Sequence, residues 1–135
     1  MRALLVAGVV VLSLPVAPTP ASAAAALSII PITWNVVGLD SNDVTSGPNT
    51  FASGARVCNT GDVTAANVVA TYVWDSANAY ISLDGSSILS VPSLAAGTCT
   101  DFYFNVLITR TAAARLTARS YHIEATADGL GVVST

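Results

Sequence analysis

Apolar residues along this chain alternate with polar ones far more often than they recur at helical spacing. In 67–75, Val68, Ala70, Tyr72 and Trp74 share one parity; Asn67, Val69, Thr71, Val73 and Asp75 share the other. In 101–109, Phe102, Phe104, Val106 and Ile108 oppose Tyr103, Asn105, Leu107 and Thr109. The clearest split is in 120–128, where Tyr121, Ile123, Ala125 and Ala127 oppose Ser120, His122, Glu124, Thr126 and Asp128. A period of two places successive side chains on opposite faces of a strand, so each segment predicts a strand half-buried in a sheet. Further strands are predicted at 32–39, 55–59, 80–83 and 88–91.

Turn clusters separate these runs: Asp40-Ser41-Asn42-Asp43, Ser46-Gly47-Pro48-Asn49, Asn59-Thr60-Gly61-Asp62, Asp84-Gly85-Ser86 and Ala96-Gly97-Thr98. Glycine, asparagine and aspartate tolerate the backbone angles that tight turns need. About seven short strands at this spacing predict an all-β, Ig-like antiparallel β-sandwich. The segment 111–117, with Ala112-Ala113-Ala114, is too short for a stable helix and reads as a loop or a single turn.

The first residues follow a different pattern. Met1 and Arg2 precede a run from Ala3 to Leu14 that is apolar except for Gly8 and Ser13; Pro15, Pro18 and Pro20 then lead to Ala21-Ser22-Ala23. A basic start, an apolar core and an A-x-A site predict a secretory signal peptide over 1–23, leaving 24–135 as one sandwich domain. A spanning helix needs about 20 apolar residues, and the prolines interrupt this stretch, so no membrane span is expected in the mature chain. No cysteine marks a lipoprotein anchor and no arginine pair a twin-arginine route. The expected location is secreted, extracellular or cell-surface.

Composition narrows the function classes. The 135 residues include 53% hydrophobic and only 10% charged positions, with five arginines, no lysine and eight acidic residues. Such a chain is too apolar to remain disordered, and its net charge of −3 disfavours a nucleic-acid partner. Cys58 and Cys99, an even pair in an exported chain, read as a disulfide worth roughly 4 kcal/mol on the chain-entropy model. It would pin one sheet to the other or close the end of the sandwich, with Trp34 or Trp74 available to pack beside it. Two buried free thiols are the alternative. A zinc site would want four ligands, and His122 is the only imidazole.

Several segments resemble a bacterial Ig-like conserved repeat of cell-surface proteins, related to the CARDB cell-adhesion module. The matching residues are Ala55-Arg56-Val57-Cys58-Asn59-Thr60-Gly61-Asp62, Ala66-Asn67-Val68 and Leu94-Ala95-Ala96-Gly97, followed by the alternating strand from Asp101. The resemblance covers about residues 52–128 and rests on turn chemistry. It implies a β-sandwich spacer or adhesion module with no catalytic residues to carry over. The cysteines and the single copy depart from the family's pattern, and the end at Thr135 suggests a fragment of a longer repeat protein or a free-standing unit.

Candidate chemistry is sparse. Ser120, His122 and Glu124 share a strand face but form a ladder, not a converging triad. No nucleophile elbow, phosphate loop or dinucleotide fingerprint occurs, and the aspartates lie mainly in turns, away from the paired arrangement of a glycosidase. Asp40, Asn42 and Asp43 crowd one loop with hard oxygen donors that can hold calcium, with turn capping as the competing role. Trp34, Tyr72, Trp74, Tyr80 and Tyr103 include candidates for a sugar-stacking platform, although aromatic residues also build sandwich cores. Tyr103 and Leu107, opposite the Phe102/Phe104 face, are the expected contact patch.

These readings predict a non-enzymatic structural or adhesion module whose partner is a cell-surface or matrix protein or a polysaccharide. A carbohydrate-binding module is the first alternative, and a secreted hydrolase centred on His122 the second.

Overall fold

The computed structural model describes residues 23–41 and 43–135. The predicted signal peptide therefore lies outside the described residues but for Ala23, as does Asn42. Nine strands occur among the described residues: β1 (Leu27–Pro31), β2 (Val36–Leu39), β3 (Thr50–Asn59), β4 (Ala65–Trp74), β5 (Ile81–Leu83), β6 (Ile88–Leu94), β7 (Cys99–Ile108), β8 (Thr117–Thr126) and β9 (Val133–Ser134). They form two antiparallel sheets, ordered β1-β3-β7-β5 and β2-β8-β4-β6, with β9 also paired to β8. The fold is the expected all-β sandwich, with nine strands in place of about seven. The alanine run makes one 3-10 turn, Ala112–Ala114. No helix among the described residues is long and apolar enough to cross a membrane.

The additional strands come from the ends of the chain. The reading of 32–39 as one strand is corrected: pairing occupies Leu27–Pro31 and Val36–Leu39, with a bend between them. Pro31 has no N–H to extend a ladder. The amides of Ile32 and Thr33 both donate to the Gly54 carbonyl, at 2.9 and 3.3 Å. The Thr33 hydroxyl then accepts from the Gly54 amide at 2.9 Å and meets the Tyr121 hydroxyl at 2.7 Å, tying the crossover to both layers. Unbroken alternation hides such a change of sheet, because both halves keep a period of two.

The core fills the space between the sheets with the predicted residues. Tyr72, Phe102, Phe104, Val106, Ile108, Tyr121, Ile123 and Ala125 are buried, joined by Leu39, Val57, Val68 and Ile81. Tyr72 stacks on Tyr121 with ring centres 4.5 Å apart and tilts against Phe104 at 5.3 Å. Near the start of β4, Asn67 adopts a left-handed conformation with φ 52°. That local kink shifts the alternation, so both Ala65 and Val68 are buried.

Candidate functional site

Cys58 and Cys99 form a disulfide, but within one sheet. They are register partners on β3 and β7, with Cα atoms 4.0 Å apart. The Asn59 amide donates to the Thr98 carbonyl and Gly97 donates back to Asn59, so the odd residues of β3 point their peptide groups toward β7. Cys58 therefore sits at a non-hydrogen-bonded position, where opposing side chains come closest. Its parity faces outward, leaving Cys58 half-buried and Cys99 exposed. The expected sheet-to-sheet pin or end closure is thus replaced by a clamp on the exterior of the first sheet. Neither tryptophan supports it. Trp34 stands in solvent, and Trp74 packs on Tyr72 and Tyr121 beneath the Arg119 guanidinium, 4.0 Å from its ring centre.

His122 lies on the outer face of the second sheet, as its parity requires. Its Nδ1 is 2.6 Å from the Asp75 carboxylate and its Nε2 3.4 Å from Glu124. The Ser120 hydroxyl bonds the Ser76 hydroxyl at 3.0 Å and not the imidazole. The ring is held between carboxylates on opposite edges, an arrangement that neither activates a hydroxyl nor converges ligands on one point. Among the described residues no group of three or more His, Cys, Asp or Glu side chains could hold a metal ion.

The loop carrying Asp40 and Asp43 is organised from within. Asp43 Oδ1 accepts from the amides of Thr45 and Ser46 at 3.1 and 3.0 Å and from the Thr45 hydroxyl at 3.2 Å; its Oδ2 accepts from the Ser46 hydroxyl. Four donors on one carboxylate, the Ser46 hydroxyl foremost, pull its pKa from 3.8 to about 2. Arg110 secures the loop by donating to the carbonyls of Pro48 and Asp43, at 2.9 and 3.1 Å. Of the two roles open to this carboxylate, calcium ligand and turn cap, the bonds to Thr45 and Ser46 are those of a turn cap.

The five aromatic candidates divide. Tyr72 is buried, and Trp74 and Tyr80 are half-buried against the core. Trp34, at 87% exposure, and Tyr103, at 51%, face solvent. Leu107, on the same outward parity as Tyr103, is half-buried. Tyr103 pairs across the ladder with Gly54, and its ring covers that glycine: a Cβ there would meet Tyr103 Cδ1 at 2.6 Å and the Phe102 carbonyl at 2.8 Å. Ile32 completes this row from the far side through its bond to Gly54. The neighbouring row holds Ile30, Arg56 and Asp101. Arg56 grips Asp101 with two bonds, 2.7 and 2.9 Å. Each charge favours the other, so the Arg56 pKa rises and the Asp101 pKa falls through that shared bond.

Two open depressions flank this face. One, of about 470 Å³, is lined by Pro31, Ile32, Thr33, Trp34 and Asn35. The other, of about 240 Å³, brings Trp34 beside Ala52, Ser53 and Phe51. The exposed apolar residues Ile30, Ile32, Trp34 and Val36 follow a period of two along the crossover. That regularity was available in the sequence, but an apolar alternation there reads as core. No family model and no curated protein matches the chain.

Proposed function

We propose that this chain is a non-catalytic module of the secreted or cell-surface space, in which a stiff β-sandwich serves a structural or adhesive role. The observation that carries this reading is the clamp across the β3–β7 ladder. A disulfide persists in oxidising compartments outside the cytosol, and this one locks the longest strand pair of the first sheet. The leader-like segment 1–23 and the resemblance to bacterial surface repeats agree with that location. The enclosure of His122 between two carboxylates, with no hydroxyl bonded to it, supports a module without a hydrolytic centre.

The test is to express the full chain in a bacterium with a periplasm, then examine the exported product. The expected product begins at Ala24, carries oxidised cysteines and adheres to cell-surface material without turning over ester, peptide or glycoside substrates. Retention in the cytosol with reduced thiols, or turnover lost in His122→Ala, would overturn the reading.

A further inference from the structure

Two features of the first sheet's exterior lie in adjoining rows, and a third projects from the crossover at its edge. Tyr103 spreads over Gly54 and offers an exposed ring; Trp34 projects at the sandwich edge, sharing one depression with Ile32 and another with Ala52 on the first sheet and Val36 and Val37 on the second. One row away, Arg56 and Asp101 are fixed in a two-bond pair. A large apolar ring left in water is unfavourable unless something covers it, and an aromatic side chain offers roughly 150–250 Å² for burial.

We propose that this face binds an extended, neutral polysaccharide, with sugar rings stacking on Trp34 and Tyr103 and their hydroxyls bonding the Arg56–Asp101 pair. The proposal rests on the surface-module reading and names the partner. A pyranose ring carries a flat C–H face and a rim of hydroxyls, each both donor and acceptor. The aromatic faces suit the former. The guanidinium and carboxylate beside them supply fixed donors and acceptors for the latter.

Charge selects for neutrality. Arg56 and Asp101 are the only charged side chains on the outward parity of β3 and β7, and they neutralise each other. Shape favours a narrow chain over a second protein. A stable protein partner needs about 800 Å² of contiguous surface on each side. Here the exposed apolar residues turn around the sandwich edge instead: Ile30 and Ile32 face outward on the first sheet, whereas Val36 pairs with Ser120 on the second.

The test is a binding isotherm of the exported full chain on microcrystalline cellulose, chitin and mannan, with polygalacturonate as the charged comparison. Retention on at least one neutral polymer is expected. Trp34→Ala should weaken it about tenfold, the loss of one stacked ring, with an unchanged melting temperature. Tyr103→Phe should bind as the parent does, and Tyr103→Ala should bind more weakly. No retention on the neutral polymers, a preference for the acidic one, or equal binding by Trp34→Ala and the parent would overturn the assignment. So would a concentration-dependent dimer dispersed by Trp34→Ala, which would make the face a self-association surface. Adhesion to cell-surface material without polymer binding would sink only the ligand; release of reducing sugar from the polymers would sink the module reading as well.

Discussion

Replacing Asn59 should damage this protein more than any surface change of similar size. Its side chain is fully buried where β3 ends. Nδ2 donates to the Val63 and Leu94 carbonyls at 2.7 and 3.0 Å, while Oδ1 accepts from the Gly61 and Ala26 amides at 3.1 and 3.3 Å. One amide thus joins the β3–β4 turn, the end of β6 and the segment entering β1. Asn59→Ala leaves four backbone groups without partners. Gly61 and Ala26 lie near the rim, where water can reach them, but the Leu94 bond is buried. At about 1 kcal/mol for each bond water replaces poorly, and up to about 3 for a carbonyl left dry, the expected loss is about 2–4 kcal/mol. A domain of this size has only about 5–15 kcal/mol in total. The assay is urea unfolding of the oxidised protein, with the half-buried Trp74 as fluorescent reporter. Asn59→Asp sharpens the test, because it keeps the acceptor and turns a carboxylate toward two carbonyls. Asn59→Asp should be the worse variant at pH 7 and recover as the pH falls and the carboxyl regains a proton to donate. A loss below about 0.5 kcal/mol for Asn59→Ala at unchanged m-value would refute the reasoning.

Other consequences can be checked as directly. Because Cys99 is exposed on the outer face, dithiothreitol should reduce the disulfide without denaturant, read as a two-hydrogen mass gain. Reduction should cost about 4 kcal/mol on the chain-entropy model; a requirement for denaturant would contradict the placement. Asp43 and Asp101 both have folded-state pKa values below their ordinary range, so the contribution of each is present above about pH 4 and is lost as pH falls through the folded-state pKa, about 2 for Asp43. Asp43→Asn should lower the neutral plateau of a melting-temperature profile toward its acid value and so make the acid limb shallower; an unaltered limb would show that the turn carries no linkage. The buried Tyr72 hydroxyl lies beside Ser53 but makes no hydrogen bond of normal geometry, and burial pushes its pKa up. Tyr72→Phe should therefore cost nothing and can gain up to about 1 kcal/mol in thermal unfolding. A clear loss would reveal a polar contact at that hydroxyl.

Much of the sandwich was legible because burial repeats along a strand. Phe102, Phe104, Val106 and Ile108, and then Tyr121, Ile123 and Ala125, all lie inside, and Tyr103 and His122 lie outside. Parity also separated Tyr72, which is core, from Tyr103, which is not. Trp34 escaped this logic: its neighbours alternate like a strand, yet Pro31 and the Thr33 bonds carry the chain from one sheet to the other and leave the indole in solvent. Asn59 read as a turn residue, and nothing local marks it as the buried junction of three segments. Asp75 and His122 are distant in sequence and meet because β4 pairs with β8.

Local patterning alone determined that the chain forms strands, which face of each is apolar, where glycine and asparagine turn it, and that its cysteines form an even pair. Those properties depend on nearest neighbours and on a fixed period of two, so they can be read one segment at a time. Only the tertiary structure decided which strands are partners. Register places Cys58 opposite Cys99 on the outside of one sheet and lays Tyr103 over Gly54, and the crossover bonds to Gly54 leave Trp34 at the sheet edge near Ala52. Each of these contacts joins residues far apart along the chain, and strand pairing brings such residues together without leaving a periodic trace in either segment.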